Sequence, residues 1–146
     1  MNKNIIAPFQ IKNNKVVEFS FKQTDFILGN VAININFDLN YSDIEIVQNE
    51  TEFLGQISVT VDLKGVNGDE ELFSLFLKMK GLFTKNIESI ESDISEKEIQ
   101  FEEMLKLNGA TVLVQLCRAY ITSVTALTGI IPPLNIPMID IYEFMK

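Results

Sequence analysis

The chain has 146 residues, 47% of them hydrophobic and 22% charged, and its 20 acidic and 12 basic side chains give a net charge of −8. This balance favours one globular domain over residues 1–146, and the acidic surface disfavours nucleic acid and anionic membranes, which attract basic proteins. The sequence has no histidine and a single cysteine, which excludes a zinc site of His and Cys ligands and an internal disulfide. We therefore expect no metal, no cofactor and a cytoplasmic location, where thiols stay reduced.

Four segments alternate between apolar and polar side chains, a pattern typical of half-buried strands. They cover residues 16–22, 31–41, 53–64 and 72–80. In the first segment Val17, Phe19 and Phe21 share one face. The sequence KGVNGDEE at residues 64–71, which connects the third segment to the fourth, is suited to a hairpin turn. The pattern predicts an antiparallel sheet with one solvated face.

Helical spacing follows the strands. Residues 96–107 place Ile99, Met104 and Leu105 at helical intervals, and the Asn108–Gly109 pair is expected to interrupt the helix. Residues 110–128 are rich in Val, Ile and Thr, which favours a strand. Strands of nineteen residues are rare, however, so we predict a helix with Gly129 as its C-cap.

The second helix is apolar around nearly its whole circumference, with Arg118 as its only charge. Such a helix must be buried on more than one side, and one sheet covers a single side. We therefore expect it to pack against another subunit, through Val114, Cys117, Arg118, Ile121 and Val124. Alternatively, residues 85–107 fold over it. The stretch is short for a bilayer crossing and contains Arg118, so no membrane insertion is expected.

The chain closes with the apolar sequence TGIIPPLNIPMIDIYEF at residues 128–144. Its prolines at 132, 133 and 137 keep it out of regular helix or sheet pairing and can hold apolar side chains on a fixed path. A second irregular apolar segment, KQTDFILGN, joins the first two predicted strands at residues 22–30.

The order of these elements resembles the SecB family of bacterial protein-export chaperones. FQIKNNKVVEFSF (9–21) is similar to the family's first strand, LFLKMKGLF (75–83) to its fourth strand and the following turn, and GIIPPLNIPMIDIYEF (129–144) to the stretch after its long helix. The resemblance covers residues 9–145. Gly129, Pro132, Leu134, Asn135 and Arg118 fall on matching positions.

The resemblance implies an α+β fold, a four-stranded antiparallel sheet against a long C-terminal helix, assembled as a homotetramer that is a dimer of dimers. It also implies an ATP-independent holdase that binds unfolded apolar segments of precursor or other client proteins and keeps them competent for export or assembly. Client contact is then expected from the loop and the tail, at Phe26, Ile27, Leu28, Ile130, Ile131, Leu134, Ile136, Met138, Ile141 and Phe144.

Two departures from the family pattern stand out. The chain stops at Lys146, where SecB proteins continue into a second helix that flanks the client groove. Family members also dock the SecA motor through acidic residues on the outer sheet face. Glu18 falls on such a position, but Lys22 and Phe76 fall where the family has glutamates. We therefore expect the protein to bind SecA weakly or to use a different acceptor.

Two alternative functions remain open. One is a SecB-like chaperone dedicated to a single client, such as an antitoxin of a toxin–antitoxin pair. The other is an enzyme with a helix on a sheet, such as a hotdog-type thioesterase. Such an enzyme needs a carboxylate or polar base on the interface helix, and residues 110–128 contain no acidic side chain. We therefore expect that the protein is not an enzyme.

Overall fold

The computed structural model describes residues 9–24, 33–87, 94–128 and 139–144, without the side chains of Ile94, Ile141 and Tyr142. The strands are β1 (Phe9–Gln23), β2 (Asn34–Gln48), β3 (Glu52–Asn67) and β4 (Glu70–Asn86), and the helices are α1 (Ile94–Met104), α2 (Ala110–Ala126) and α3 (Ile141–Phe144). All four predicted strands are confirmed. They are longer than predicted because backbone pairing continues beyond the region of clean apolar alternation.

The strands form one antiparallel sheet in the order β1-β4-β3-β2, which places β1 and β2 on opposite edges. β3 and β4 make the predicted hairpin, and Gly68 supplies the left-handed backbone of its turn with φ +60°. β1 ends, and β2 begins, at the end of the sheet where the β3–β4 hairpin turns. Gln23 pairs there with Phe73, and Asn34 pairs with Val66.

β1 contains two β-bulges, and one of them changes the face of a predicted core residue. The register passes from Val16 opposite Met79 to Glu18 opposite Lys78, which leaves Val17 without a partner in the ladder. Val16 therefore joins Phe19 on the inner face. The prediction that Val17 shares a face with Phe19 and Phe21 is wrong, because a bulge shifts the alternation by one residue.

The helical part of the chain is one rod from Ile94 to Ala126, since a π-helical turn at Leu105–Gly109 joins α1 to α2. Gly109 keeps helical angles, φ −63° and ψ −46°, so the predicted interruption at Asn108–Gly109 is wrong. The glycine serves close packing instead: a Cβ atom there would lie 3.3 Å from the Phe83 ring. The helix ends at Ala126 with Leu127 as its cap; the predicted cap, Gly129, lies outside the described residues.

The core lies between this rod and the two central strands. Phe101 of α1 is fully buried and stacks on Phe53 at 5.3 Å between ring centroids. Gly55 allows this approach, because a Cβ atom at that position would lie 2.8 Å from the Phe101 ring. α1 thus continues along the sheet, and the alternative in which residues 85–107 cover the second helix is wrong for 94–107. No helix within the described ranges is long and apolar enough to cross a membrane.

Candidate functional site

The helical rod is narrower than the sheet beneath it. A helix about 10 Å wide covers roughly two strands that are spaced about 4.8 Å apart. Ile57 on β3 is accordingly 0% exposed, whereas Ile35 and Phe37 on β2 are 42% and 38% exposed. Apolar residues on the inner faces of both edge strands thus lie beside the helix, some of them exposed and the others half-buried against the core. We call them the β1 strip (Ile11, Val16, Phe19, Phe21) and the β2 strip (Ile35, Phe37, Leu39, Tyr41).

The two flanks of α2 differ in polarity. Tyr120 meets Phe19 edge-to-face at 5.3 Å, so the flank of Tyr120 and Leu116 borders the β1 strip. Helical spacing puts Arg118 and Thr122 on the opposite flank, which faces β2. There, Arg118 Nη1 donates to Gln115 Oε1 at 3.4 Å. The flank of α2 that borders the β1 strip is therefore apolar, and the flank that faces β2 carries polar side chains.

The C-terminal segment occupies part of the β2 strip. Phe144, one of the predicted client-binding residues, packs edge-to-face on Tyr41 with 5.7 Å between ring centroids. The short helix α3 holds it there, with Phe144 N donating to Asp140 O at 2.9 Å. Ile139 also packs against the core. Phe144 thus lies on the inner face of the sheet, half-buried rather than at a free chain end.

One corner of the molecule anchors both predicted binding segments. Gln23 Nε2 donates to Thr128 O at 2.8 Å, which joins the end of β1 to the end of the helix. In the chain order, residues 25–32 follow the first anchor and precede Ile33 and β2, and residues 129–138 follow the second anchor and precede Ile139 and α3. The side chains predicted to contact clients in these segments lie outside the described residues: Phe26, Ile27, Leu28, Ile130, Ile131, Leu134, Ile136 and Met138. The side chain of Ile141 is also outside them.

The predicted subunit interface on α2 falls on two different sides of the helix. Val114, Cys117 and Ile121 point into the core of their own chain, and burial raises the pKa of the Cys117 thiol to about 12. Arg118 and Val124 are half-buried at the margins. The side that faces outward carries small or polar residues at intervals of four: Thr111, Gln115, Ala119 and Ser123. This series is readable in the sequence, but the surrounding apolar residues obscured it.

On the outer sheet face Glu18 is exposed opposite Lys78. The Lys78 ammonium lies 2.7 Å from the Asp43 carboxylate; its hydrogen bond and charge lower the pKa of Asp43. Asp43 reaches across the face from a bulge in β2, where its φ is +56°. Phe76 is half-buried between Ser20 and Asp62 rather than fully exposed. The lysines of this face are thus partly neutralised, and its aromatic is partly covered.

No protein-family model and no curated protein matches the sequence. Solved structures do match it. One is a complex of the Mycobacterium tuberculosis SecB-like chaperone Rv1957 with a ChAD peptide from the Rv1956 HigA1 antitoxin, with 17% identity, 91% of each chain covered and a TM-score of 0.58. Another is a Streptococcus agalactiae protein of unknown function, with 11% identity, 89% of this chain and 97% of that chain covered and a TM-score of 0.46. The four-stranded antiparallel sheet with its C-terminal helix is therefore a SecB-like fold.

Proposed function

We propose that the protein is an ATP-independent holdase chaperone that binds unfolded, apolar segments of client proteins. The observation that carries the proposal is the pair of partly exposed apolar strips that border α2 on a SecB-like fold. Exposed apolar surface of this kind marks an interaction site in soluble proteins. Two further apolar segments, residues 25–32 and 129–138, follow Thr24 and Thr128 at the same corner, and we expect their apolar side chains to contribute to client binding.

Binding of this kind needs no catalytic group. Apolar strips without fixed polar anchors hold many sequences weakly, and several such contacts along one unfolded chain add to a useful avidity. The part of the chain that the structure describes has no group of three or more Asp, Glu, Cys or His side chains placed to hold a metal ion. We propose a binding role in the cytoplasm, and not an enzymatic one, because the partly exposed apolar strips are suited to contact with unfolded chains.

We also propose that the protein works as a tetramer, a dimer of dimers. The small residues Ala119 and Ser123 on the outward side of α2 allow a second helix to approach closely, with Arg118 and Val124 at the margins. Light scattering at micromolar concentration is expected to give a tetramer or its dimeric building block. A folded monomer would contradict this assembly.

The holdase proposal is tested by aggregation of a chemically unfolded substrate in the absence of ATP. The protein is expected to slow aggregation, and Phe26→Ser combined with Phe144→Ser is expected to weaken this protection while the oligomer stays intact. Val47→Ser is the matched control, because Val47 is an exposed apolar residue on the outer face of β2. Full protection by the double variant would place client binding elsewhere.

A second candidate function is a chaperone dedicated to one client. The complex of the mycobacterial SecB-like chaperone with an antitoxin peptide favours it. Co-purification from native lysate distinguishes the two: a general holdase is expected to carry many unfolded proteins, and a dedicated one a single partner encoded beside its gene.

Delivery to SecA is the least supported part of an export role. Lys22 and Phe76 replace family glutamates, and Lys80 adds positive charge to the same face as Glu18, whereas Lys78 is paired with Asp43. Like charges slow the encounter with a basic partner, so we propose that the protein binds SecA weakly or uses another acceptor. Calorimetry against SecA of the same organism tests this: tight, salt-sensitive binding that Glu18→Lys abolishes would restore the export role.

A further inference from the structure

The charges on the outer face of the sheet are divided between its two halves. Over residues 12–22 and 74–84, the half formed by β1 and β4 carries Lys12, Lys15, Lys22, Lys78 and Lys80 and one acidic residue, Glu18. Over residues 36–47 and 52–64, the half formed by β2 and β3 carries Asp38, Asp43, Glu45, Glu52 and Asp62 and one basic residue, Lys64. A chain with a net charge of −8 thus presents a local basic surface along β1 and β4, which we call the basic half.

Two lysines at the centre of the basic half lack an acidic partner. Lys15 of β1 lies directly opposite Lys80 of β4, and like charges in that position destabilise a sheet. Within the ranges that the structure describes, neither side chain lies in an ion pair, whereas the Lys78 ammonium lies 2.7 Å from the Asp43 carboxylate. A carboxylate placed beside Lys15 and Lys80 would relieve their repulsion.

Asp43 shows that this part of the surface accommodates a carboxylate. It lies in a bulge of β2 with φ +56°, and its side chain reaches across β3 to Lys78. Ser58 of β3 is 0% exposed although it belongs to the outer face, where it pairs with Lys80 of β4. The pKa of Asp43 is lowered chiefly by Lys78 and to a lesser extent by the Ser58 hydroxyl. That hydroxyl has no partner within hydrogen-bond distance among the described residues, so a spare donor borders the position of the carboxylate.

We infer that the basic half binds an acidic segment of a partner protein, and that Asp43 competes with this segment for Lys78. Carboxylates of the segment lie beside Lys15 and Lys80, and one of them replaces Asp43 at Lys78 and accepts a hydrogen bond from Ser58. This inference rests on the part of the proposed function that leaves the acceptor open, and it gives that acceptor an acidic docking segment.

The occupant is a segment of another protein rather than a second copy of this chain. The β2–β3 half of a second copy also offers carboxylates. Two chains of net charge −8 repel each other over their whole surfaces, however, and bringing one face onto the other requires both to approach closely. A short acidic segment brings only its own few charges and can place them directly beside the lysines.

The first test uses the full-length protein and a labelled peptide in which glutamate alternates with serine, with binding measured by fluorescence anisotropy. The matched control peptide has glutamine in place of every glutamate. The acidic peptide is expected to bind and to lose affinity as salt is added, because these charges lie at the surface and are screened. Equal affinity for the two peptides, or no binding of the acidic one, would overturn the inference.

Two aspartates on the outer face separate competition from a general effect of charge. Asp43→Asn keeps a residue that tolerates a positive φ and frees Lys78, so it is expected to raise affinity for the acidic peptide about fivefold. Asp62→Asn removes the same charge from the same face, where no ion pair joins Asp62 to a lysine among the described residues, and is expected to raise affinity less than about twofold. Equal gains would overturn the role of Asp43 as a competitor.

Two lysines form a second matched pair. Lys80→Gln is expected to weaken binding of the acidic peptide about fivefold. Lys106→Gln removes the same charge from the helical rod, where Lys106 lies 3.5 Å from Glu102, and is expected to change affinity less than about twofold. Equal losses would mean that the peptide responds only to net charge, which would overturn the inference.

NMR of the unmodified protein keeps the test independent of how the variants fold. The acidic peptide is expected to shift amide signals in residues 13–22 and 74–82 and at Asp43. Shifts confined to other residues, displacement of the peptide by inorganic phosphate at the same concentration of charge, or an oligomer that Lys80→Gln dissolves would each overturn the inference, in favour of another surface, a small-anion site or a second copy. Normal suppression of aggregation in the same preparation would then leave the holdase function standing, and its absence would remove both.

Discussion

β2 and β3 are neighbours with nearly the same alternation of side chains, yet the side chains on their inner faces differ in how deeply they are buried. Inner-face residues of β3 such as Ile57 and Val59 are 0% exposed, whereas their counterparts on β2 remain partly open to solvent. The difference comes from the helix, which spans the width of the two central strands and no more. The same sequence pattern therefore makes core in the middle of the sheet and candidate binding surface at its edge.

Truncation of one isoleucine on β3 and one on β2 is expected to give the largest difference in the free energy of unfolding. Ile57→Ala removes a fully buried side chain and is expected to lower the free energy of unfolding by about 2–5 kcal/mol. Ile35→Ala is expected to cost less than about 1 kcal/mol, because much of that side chain already contacts water. Chemical denaturation measures both. Equal losses would mean that something covers the β2 strip.

A methyl group at Gly55 tests how closely the helix approaches the central strands. Gly55→Ala places its Cβ atom against the ring of Phe101 and the side chain of Leu105, and is expected to destabilise the fold by about 1–3 kcal/mol. Phe101→Leu in the same chain is expected to relieve part of that strain, so that the double variant is more stable than the sum of the single losses predicts. Strict additivity in denaturation would contradict the contact.

The buried and outward sides of α2 can be compared through thiol reactivity. Burial raises the pKa of Cys117 to about 12, and the thiolate is the reactive form. Cys117 is therefore expected to react with an aromatic disulfide reagent at least about tenfold more slowly than an outward thiol made by Thr111→Cys in a Cys117→Ala chain, because Thr111 is exposed and lies two turns away from the proposed helix contact at Ala119 and Ser123. Comparable rates would place Cys117 near solvent.

The smallest effect concerns the outer face, where Asp43 of β2 reaches Lys78 of β4. Because Lys78 lowers the pKa of Asp43, this contact stabilises the fold above the unfolded value of about 3.9 and loses that contribution as the pH falls through the lower folded pKa. Lys78→Met is expected to raise the pKa of Asp43, and NMR titration of the carboxyl carbon measures it. An unchanged pKa would show that the pair is not formed in solution.

The sequence alone predicted the four strands, the hairpin and a helix behind them, because side-chain alternation and turn residues are local signals. It did not predict the bulge at Val17, which depends on the pairing of β1 with β4. It also did not predict the continuity of the helix through Asn108 and Gly109. There, contact with Phe83 makes the glycine a packing residue, although its intrinsic preference favours a break.

The sequence also determined that the chain carries more apolar surface than one helix on one sheet can bury. Which residues bear that excess was decided by tertiary structure. The helix turned Val114, Cys117 and Ile121 inward and left small residues outside, so within the described residues most of the exposed large apolar side chains lie on the edge strands. The physical reason is geometric, because a rod about 10 Å wide covers two of four strands. The local alternation of side chains does not indicate which strands lie at the edges of the sheet.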